Sequence, residues 1–222
     1  MSTLLTQEGT VTNPNLVRKY VDDLPIETDA MSIARDAANE MALHPVAPGV
    51  GAQLAVLGAA CRANSILEVG TGTGVSGLWL LRGAPRATLT SIDLELDSQQ
   101  HARSAFAAAG VPATRARLIT GDAREVLPRM NEASYDIVFL DAGSAHLLEF
   151  VELALTLTRV GGTVAVHGAL LEGRIADPAQ RGEEVGDMRA LLAELAATDA
   201  VVSALNPVGE GLLQITRLPD SA

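Results

Sequence analysis

The run Ile66-Leu67-Glu68-Val69-Gly70-Thr71-Gly72-Thr73-Gly74 carries the most chemical information in this chain. An apolar segment ends in an acid, and glycines then stand at every second position before a helix-like stretch. Glycine permits the left-handed turns that bring a backbone close to a ligand. The helix beyond would aim its unpaired N–H groups, worth ~+0.5 charge, at the same spot. A phosphate would be drawn to those amides and repelled by Glu68, whereas an ammonium or sulfonium group would not be repelled. The pattern therefore favours S-adenosylmethionine over a dinucleotide. The rival reading is Gly72-Thr73-Gly74-Val75-Ser76-Gly77, which satisfies G-x-G-x-x-G and has Asp93 downstream at about the ~20-residue spacing of a ribose-binding acid. Asp93 does not separate the two, because both ligands contain a ribose. Glu68, and the helical stretch ahead of the motif, favour the first. A glycine-rich turn that binds nothing is the third reading.

Alternating strands and helices would position these residues. Ser65–Val69, Thr88–Ile92, Arg117–Thr120, Tyr135–Leu140 and Thr163–Val166 read as strands separated by helical segments at Val75–Leu81, from Asp97 to Gly110, Arg124–Met130 and Leu147–Thr158. Asp97-Ser98-Gln99-Gln100 resembles a capping box. A helix over Glu183–Ala197 precedes two strand-like runs, Val201–Leu205 and Leu212–Arg217, that have no helix between them and should pair as an antiparallel hairpin. The expected fold class is α/β, a doubly wound, seven-stranded, mostly parallel sheet with an antiparallel C-terminal hairpin. Ligands on such sheets bind beyond the carboxyl ends of the strands. Glu68, Asp93, Asp122 and Asp141 are the acids at those ends, although each is also a residue type that caps a following helix.

Upstream, residues 1–15 read as a flexible tail and 16–222 as one domain, opened by N-terminal helices across 16–62. Leu16–Leu43 has helical spacing, Pro45, Pro48, Gly49 and Gly51 interrupt it, and Gln53–Arg62 resumes it. Sixteen basic against 27 acidic residues, net −11, disfavour nucleic-acid or anionic-membrane partners. Cys61 is the single cysteine, so neither an internal disulfide nor a cysteine-rich metal site is available. No run is apolar enough to span a bilayer and the N-terminus lacks a signal-peptide pattern, so the cytoplasm is the expected location.

Taken together, the glycine motif, Ser91-Ile92-Asp93, Gly121-Asp122-Ala123, Tyr135-Asp136-Ile137-Val138-Phe139-Leu140-Asp141-Ala142 and Pro207-Val208-Gly209-Glu210-Gly211-Leu212 resemble the class I S-adenosylmethionine-dependent methyltransferases. The closer resemblance is to the catechol O-methyltransferase-like, cation-dependent O-methyltransferases, over about Met41 to Leu218. That resemblance implies a Rossmann-like methyltransferase fold and methylation of a small-molecule hydroxyl, phenolic or catechol-like. Glu68 and the backbone of Gly70, Thr71 and Gly72 would face the cofactor's methionine part, Val46 would close over it, and Ser76 would bond its carboxylate. Asp93 would accept the ribose hydroxyls, Leu94 would pack on the adenine, Asp122 and Ala123 would meet its amino edge, and Asp141 would stand beside the cofactor. The family's dimers make a homodimer the expected assembly.

Catalysis is where the chain departs from this family. Members present Asp-Ala-Asp-Lys after the fourth strand and Asp-Asn after the fifth, holding a divalent cation and supplying a lysine base. Here those segments read Asp141-Ala142-Gly143-Ser144 and His167-Gly168, and the chain's one lysine is Lys19. Two chemistries follow. Asp141 and His167 together would bind a softer cation such as zinc, manganese or iron. Alternatively His167 acts as the base without metal, its intrinsic pKa near 6.5 suiting neutral pH. A cofactor-binding relative that has lost turnover and, more weakly, a nicotinamide-dependent oxidoreductase are the alternatives. His146 is expected to line the acceptor pocket, His44 and His101 to lie on the surface, and Trp79 to be core.

Overall fold

Seven short runs rich in Val, Ile, Leu and Thr form the strands β1 (Ser65–Val69), β2 (Thr88–Asp93), β3 (Ala116–Thr120), β4 (Tyr135–Leu140), β5 (Thr158–His167), β6 (Val201–Asn206) and β7 (Leu212–Arg217). In the computed structural model, which describes residues 13–143 and 145–219, they make a single sheet in the order β3-β2-β1-β4-β5-β7-β6. The first five strands of the chain pair parallel, and β7 runs antiparallel to both β5 and β6. The expected doubly wound sheet with its terminal hairpin is therefore present. Chain order reverses between β1 and β4, and at this switch point the loops beyond the strand ends diverge and leave room for a ligand. Helices cover both faces: α1 (Pro14–Asp23), α2 (Asp29–Glu40), α3 (Pro48–Ala60), α4 (Val75–Gly83), α5 (Leu96–Ala108), α6 (Ala123–Val126), α7 (Leu147–Leu157) and α8 (Glu183–Ala197). None of them is long and apolar enough to cross a membrane.

The core divides in two along the sheet. One half packs Leu54, Ile66, Trp79, Leu89, Phe106 and Phe139 under α3, α4 and α5, and the other packs Leu67, Ile92, Val138, Val151, Met188 and Ile215 under α7 and α8. Alternate residues of β1 and β4 feed opposite halves, as the two-residue period of a strand requires. Trp79 is core, as expected, with its indole N–H donated to Glu27 at 3.2 Å.

Four expectations about the elements need correction. Leu16–Leu43 is not one helix: the chain leaves α1 at Leu24-Pro25 and re-enters at Thr28, whose hydroxyl caps α2. Proline at position 25 removes a helical N–H donor, which is why the chain breaks there. Residues 1–12 of the expected tail lie outside the described residues, and Asn13 caps a helix that begins at Pro14. Gly49 and Gly51 do not interrupt a helix but lie inside α3; a Cβ on Gly51 would stand 2.3 Å from the Trp79 ring, so this glycine lets α3 and α4 close on each other. Finally, Asp97 opens no capping box. The N-cap of α5 is Glu95, and Gln99 turns into the interior.

Asp136 secures the end of the sheet away from the site. Its carboxylate accepts the Asn64 and Ser65 N–H groups at 2.7 and 2.9 Å and Arg159 Nε at 2.6 Å. Burial pushes its pKa up, but these donors outweigh burial and hold it below 3.8. A lowered folded pKa stabilises above the ordinary carboxylate range and is lost as pH falls through the folded value. Asp136→Ala should cost about 1–2 kcal/mol in urea unfolding at neutral pH, because it leaves three partly buried donors without their acceptor. The deficit should shrink as the pH drops below the carboxylate's ordinary 3.8; a deficit that does not change with pH would contradict this account.

Candidate active site

Every residue of the glycine loop is held from below or from the side. Gly70, Gly72 and Gly74 have φ of +96°, +48° and +94°, a region where L side chains are strained. A Cβ on Gly70 would stand 2.1 Å from the Asp141 carbonyl oxygen, so glycine here lets β1 and β4 leave the sheet in contact. The Gly70 N–H bonds Ile92 O at 2.9 Å, and the Asp141 N–H bonds Val69 O at 2.8 Å. Gly72 donates its N–H to Asp93 Oδ2 at 2.8 Å, and Thr73 Oγ1 donates to Ala34 O of α2 at 2.7 Å.

Glu68 requires a correction. Its side chain is completely buried and accepts Ser76 Oγ and Ser91 Oγ, each at 2.6 Å. It therefore supports the loop from beneath and does not line the cavities above it. Burial pushes its pKa up to about 7, against the two serine hydrogen bonds, and the charges of Asp141 and Asp93 push the same way. Ser76 is corrected with it: a hydroxyl proton committed to Glu68 is not free for a ligand's carboxylate. Ser91 and Gln99, which complete this buried network, had no role in the sequence reading. The signal was available in Gln99, a polar residue on the inward face that α5 presents through Ala102 and Phe106.

Above the loop, three adjoining cavities share walls. One of about 400 Å³ is lined by Gly70, Asp93, Leu94, Asp122, Ala123, Arg124, His146 and Phe150. A second, about 240 Å³, lies between the loop and Val46, with Thr71, Gly72 and Ser76 on its wall. The third, about 250 Å³, holds His167, His44, Glu172, Arg174 and Glu210. Asp141 lines all three. The structure thus brings the expected cofactor residues, Glu68 apart, to the first two cavities and the two candidate catalytic residues to the third. His146 is the exception: it caps α7 at φ +62° and lines the first cavity, not the third. His44, expected only at the surface, stands at the rim of the second and third.

Acids around the first cavity are already bonded. Asp93 Oδ1 accepts the Glu95 N–H at 2.9 Å. Asp122 caps α6 through the Arg124 N–H, and the Arg124 guanidinium grips both its oxygens, 2.6 Å at the shortest, which holds this carboxyl below its usual range. Arg124 was not anticipated from the sequence. Val46 is fixed from outside by Arg35, which donates to its carbonyl at 2.8 Å while paired with Glu27.

At the third cavity, His167 Nδ1 and Asp141 Oδ1 are 2.8 Å apart. Carboxylate oxygen accepts only, so Nδ1 carries the proton and Nε2 is the ring's basic atom. Burial disfavours the charged imidazole, yet the hydrogen bond and charge of Asp141, joined by Glu210, raise its pKa above 6.5. As metal ligands Asp141 and His167 are a poor fit: their mutual bond leaves one donor atom on each, and among the described residues no three His, Cys, Asp or Glu side chains are placed to hold a cation. Two protein donors fall short of the three or more that bind catalytic zinc.

A family of O-methyltransferases matches the chain over residues 27–218. A Mycolicibacterium vanbaalenii protein described as an O-methyltransferase is 43% identical over 194 residues, covering 86% of each chain. Among solved structures, the O-methyltransferase TomG of Streptomyces achromogenes, involved in tomaymycin synthesis and solved with S-adenosylmethionine, is 30% identical with a TM-score of 0.80, covering 92% of this chain and 96% of its own. A Bacillus cereus O-methyltransferase solved with S-adenosylhomocysteine is 25% identical with a TM-score of 0.79, covering 91% and 97%. A doubly wound sheet with a glycine loop, acids at its strand tips and a terminal hairpin is the architecture this chain shares with these methyltransferases. The chain belongs to the O-methyltransferase family, and the dinucleotide alternative gives way to that membership.

The pairing has a direct spectroscopic consequence. In a two-dimensional NMR titration, the His167 ring should titrate above its ordinary 6.5, and in Asp141→Asn the value should fall below wild type. An unchanged value in the variant would mean that the pair does not exist in solution.

Proposed function

We propose that this chain transfers the methyl group of S-adenosylmethionine to the hydroxyl of a small molecule, with His167 as general base and without a metal ion. The observation that carries this reading is the place of Asp141, which lines all three cavities and bonds His167 at 2.8 Å on the third. The first cavity takes the nucleoside, with Leu94 against the adenine, Asp122 and Ala123 at its edge, and the free lone pairs of Asp93 for the ribose. The second takes the methionine end beneath Val46, where the first-turn amides of α4, rather than the Ser76 hydroxyl, receive its carboxylate. Glu68 acts through the loop it supports. The third cavity takes the acceptor, phenolic or catechol-like.

The acceptor oxygen attacks the methyl carbon in line with sulfur, and a C–O bond forms as the C–S bond breaks. The bond pair returns to sulfur, giving neutral S-adenosylhomocysteine, and the hydroxyl proton passes to His167 Nε2. Asp141 fixes the ring's tautomer and stabilises the imidazolium as it forms. Asp93 and Asp141, the two acids on the wall of the methionine-end cavity, favour a cationic donor and oppose a pyrophosphate. The aligned acid–imidazole pair at this junction favours turnover over cofactor binding alone, because it places a basic nitrogen on the acceptor cavity.

If this is right, His167→Ala lowers kcat about 10²–10⁴-fold, the usual contribution of a general base, while S-adenosylhomocysteine affinity by calorimetry stays within about twofold, its site lying in the other two cavities. Turnover should rise with pH through the raised His167 value, since the base is the deprotonated ring, and that limb should move to lower pH in Asp141→Asn. A His167→Ala enzyme with undiminished kcat would remove the base from the mechanism.

The working unit we propose is a homodimer formed through the N-terminal helices. Leu16, Tyr20, Leu24 and Ile26 are 60–81% exposed there, an apolar face of the kind that marks interaction surfaces. Light scattering should give twice the chain mass, reduced to one in Leu24→Asp/Ile26→Asp; a wild-type monomer would refute this assembly.

A further inference from the structure

We propose that Gln99 is a positioning residue, the start of a one-way hydrogen-bond relay through Thr71 and Ser91 to Glu68 that sets the shape of the glycine loop for the methionine end of the cofactor. The inference rests on the cofactor reading above and adds to it residues remote from the ligand.

Gln99 is completely buried on α5. Its Nε2 lies 3.0 Å from Ile119 O and 3.1 Å from Thr71 Oγ1, and its Oε1 accepts Thr120 Oγ1 at 2.8 Å. A backbone carbonyl can only accept, so the atom facing Ile119 must be the amide nitrogen. That settles the amide's orientation, and its second proton goes to Thr71. Thr71 Oγ1, thus an acceptor, gives its own proton to Ser91 Oγ at 2.7 Å, and Ser91 gives its proton to Glu68 Oε2 at 2.6 Å. Read from the other end the direction is the same once Glu68 is ionised, the form that dominates above its burial-raised pKa of about 7, because a carboxylate accepts only. Ser76 closes the network from α4 onto Glu68 Oε1.

The relay ties α5, the loop, β2, β1 and α4 together in the interior, and its one member in the loop is Thr71. That residue lies between Gly70 and Gly72, and its carbonyl accepts the Gly74 N–H at 3.0 Å. Gly70 and Gly72 are held through their backbone N–H groups, on Ile92 O and Asp93 Oδ2, so within residues 70–72 Thr71 carries the one side-chain anchor. The Thr71 hydroxyl is therefore the tether that joins the turn before α4 to the interior. Substituting Gln99 with Glu preserves the shape and replaces the amide nitrogen by an oxygen, so Ile119 O and Thr71 Oγ1 lose the donor they share. A buried polar network with one unsatisfied member destabilises its whole arrangement.

The test measures binding of two probes to the full chain: S-adenosylhomocysteine, and 5′-methylthioadenosine, which keeps the nucleoside and thioether but lacks the amino-acid tail. Thr71→Val and Gln99→Glu should weaken S-adenosylhomocysteine about tenfold, the effect of one lost buried hydrogen bond, and leave 5′-methylthioadenosine within about twofold. Thr71→Ser, which restores the hydroxyl, should recover the wild-type value. Ser91→Ala, a smaller change, should behave as Thr71→Val does and serves if Gln99→Glu fails to fold. Unaltered S-adenosylhomocysteine binding in Thr71→Val and Ser91→Ala would overturn the inference. So would equal losses for both probes, which would mark the network as general support. Wild-type protein that binds neither probe would instead overturn the cofactor reading on which the inference stands.

Discussion

The 2.8 Å bond between His167 and Asp141 depends on strand register. Leu140 of β4 lies opposite Val166 of β5, so the residues one step beyond, at the carboxyl ends, face each other. On its other side, Asp141 is drawn against β1, with its N–H on Val69 O and its carbonyl where any Cβ on residue 70 would intrude. A slip of one residue in either pairing would turn Asp141 or His167 to the opposite face of the sheet. The acid–imidazole pair and the meeting of three cavities are thus one consequence of three strands in register.

Elsewhere in the site the same economy holds: each acid at a strand tip is bonded to the protein before any ligand arrives. Asp93 holds the Gly72 and Glu95 amides, Asp122 holds Arg124 and the start of α6, and Glu68 holds two serine hydroxyls. Their geometry is set in advance, which lowers the ordering cost of binding. The sequence presents capping and ligand binding as competing explanations for these acids, but Asp122 caps α6 and also lines the first cavity, so the two roles are compatible.

Fold class and the gathering of most of the named residues around the first two cavities were legible because they are written in local patterns. Apolar runs ending in acids, glycines at every second position, and two terminal strands without a helix between them each follow from backbone geometry. What stayed hidden depends on pairs distant in sequence. The Gln99 contact with Thr71 and the Arg124 clasp on Asp122 leave no periodic trace, and Arg35 reaches Val46 across a turn. For Glu68 the local pattern points the wrong way: a strand-tip carboxylate suggests an outward side chain, whereas β1 is flanked on both sides and its last residues are buried. His167 was found as a departure from a family pattern, but its partnership with Asp141 needed the β4–β5 register. The helix break at Pro25 was readable in principle, and helical spacing on either side of it obscured the proline.

Deprotonation by the imidazole, and not by a cation, is the claim on which the rest of the chemistry turns. Turnover on a catechol panel, measured after exhaustive dialysis against EDTA and again after adding back magnesium, manganese or zinc, addresses it most directly. The paired geometry of Asp141 and His167 predicts the same kcat in all samples. A dialysed enzyme that is inactive and regains turnover with one of those ions would contradict it.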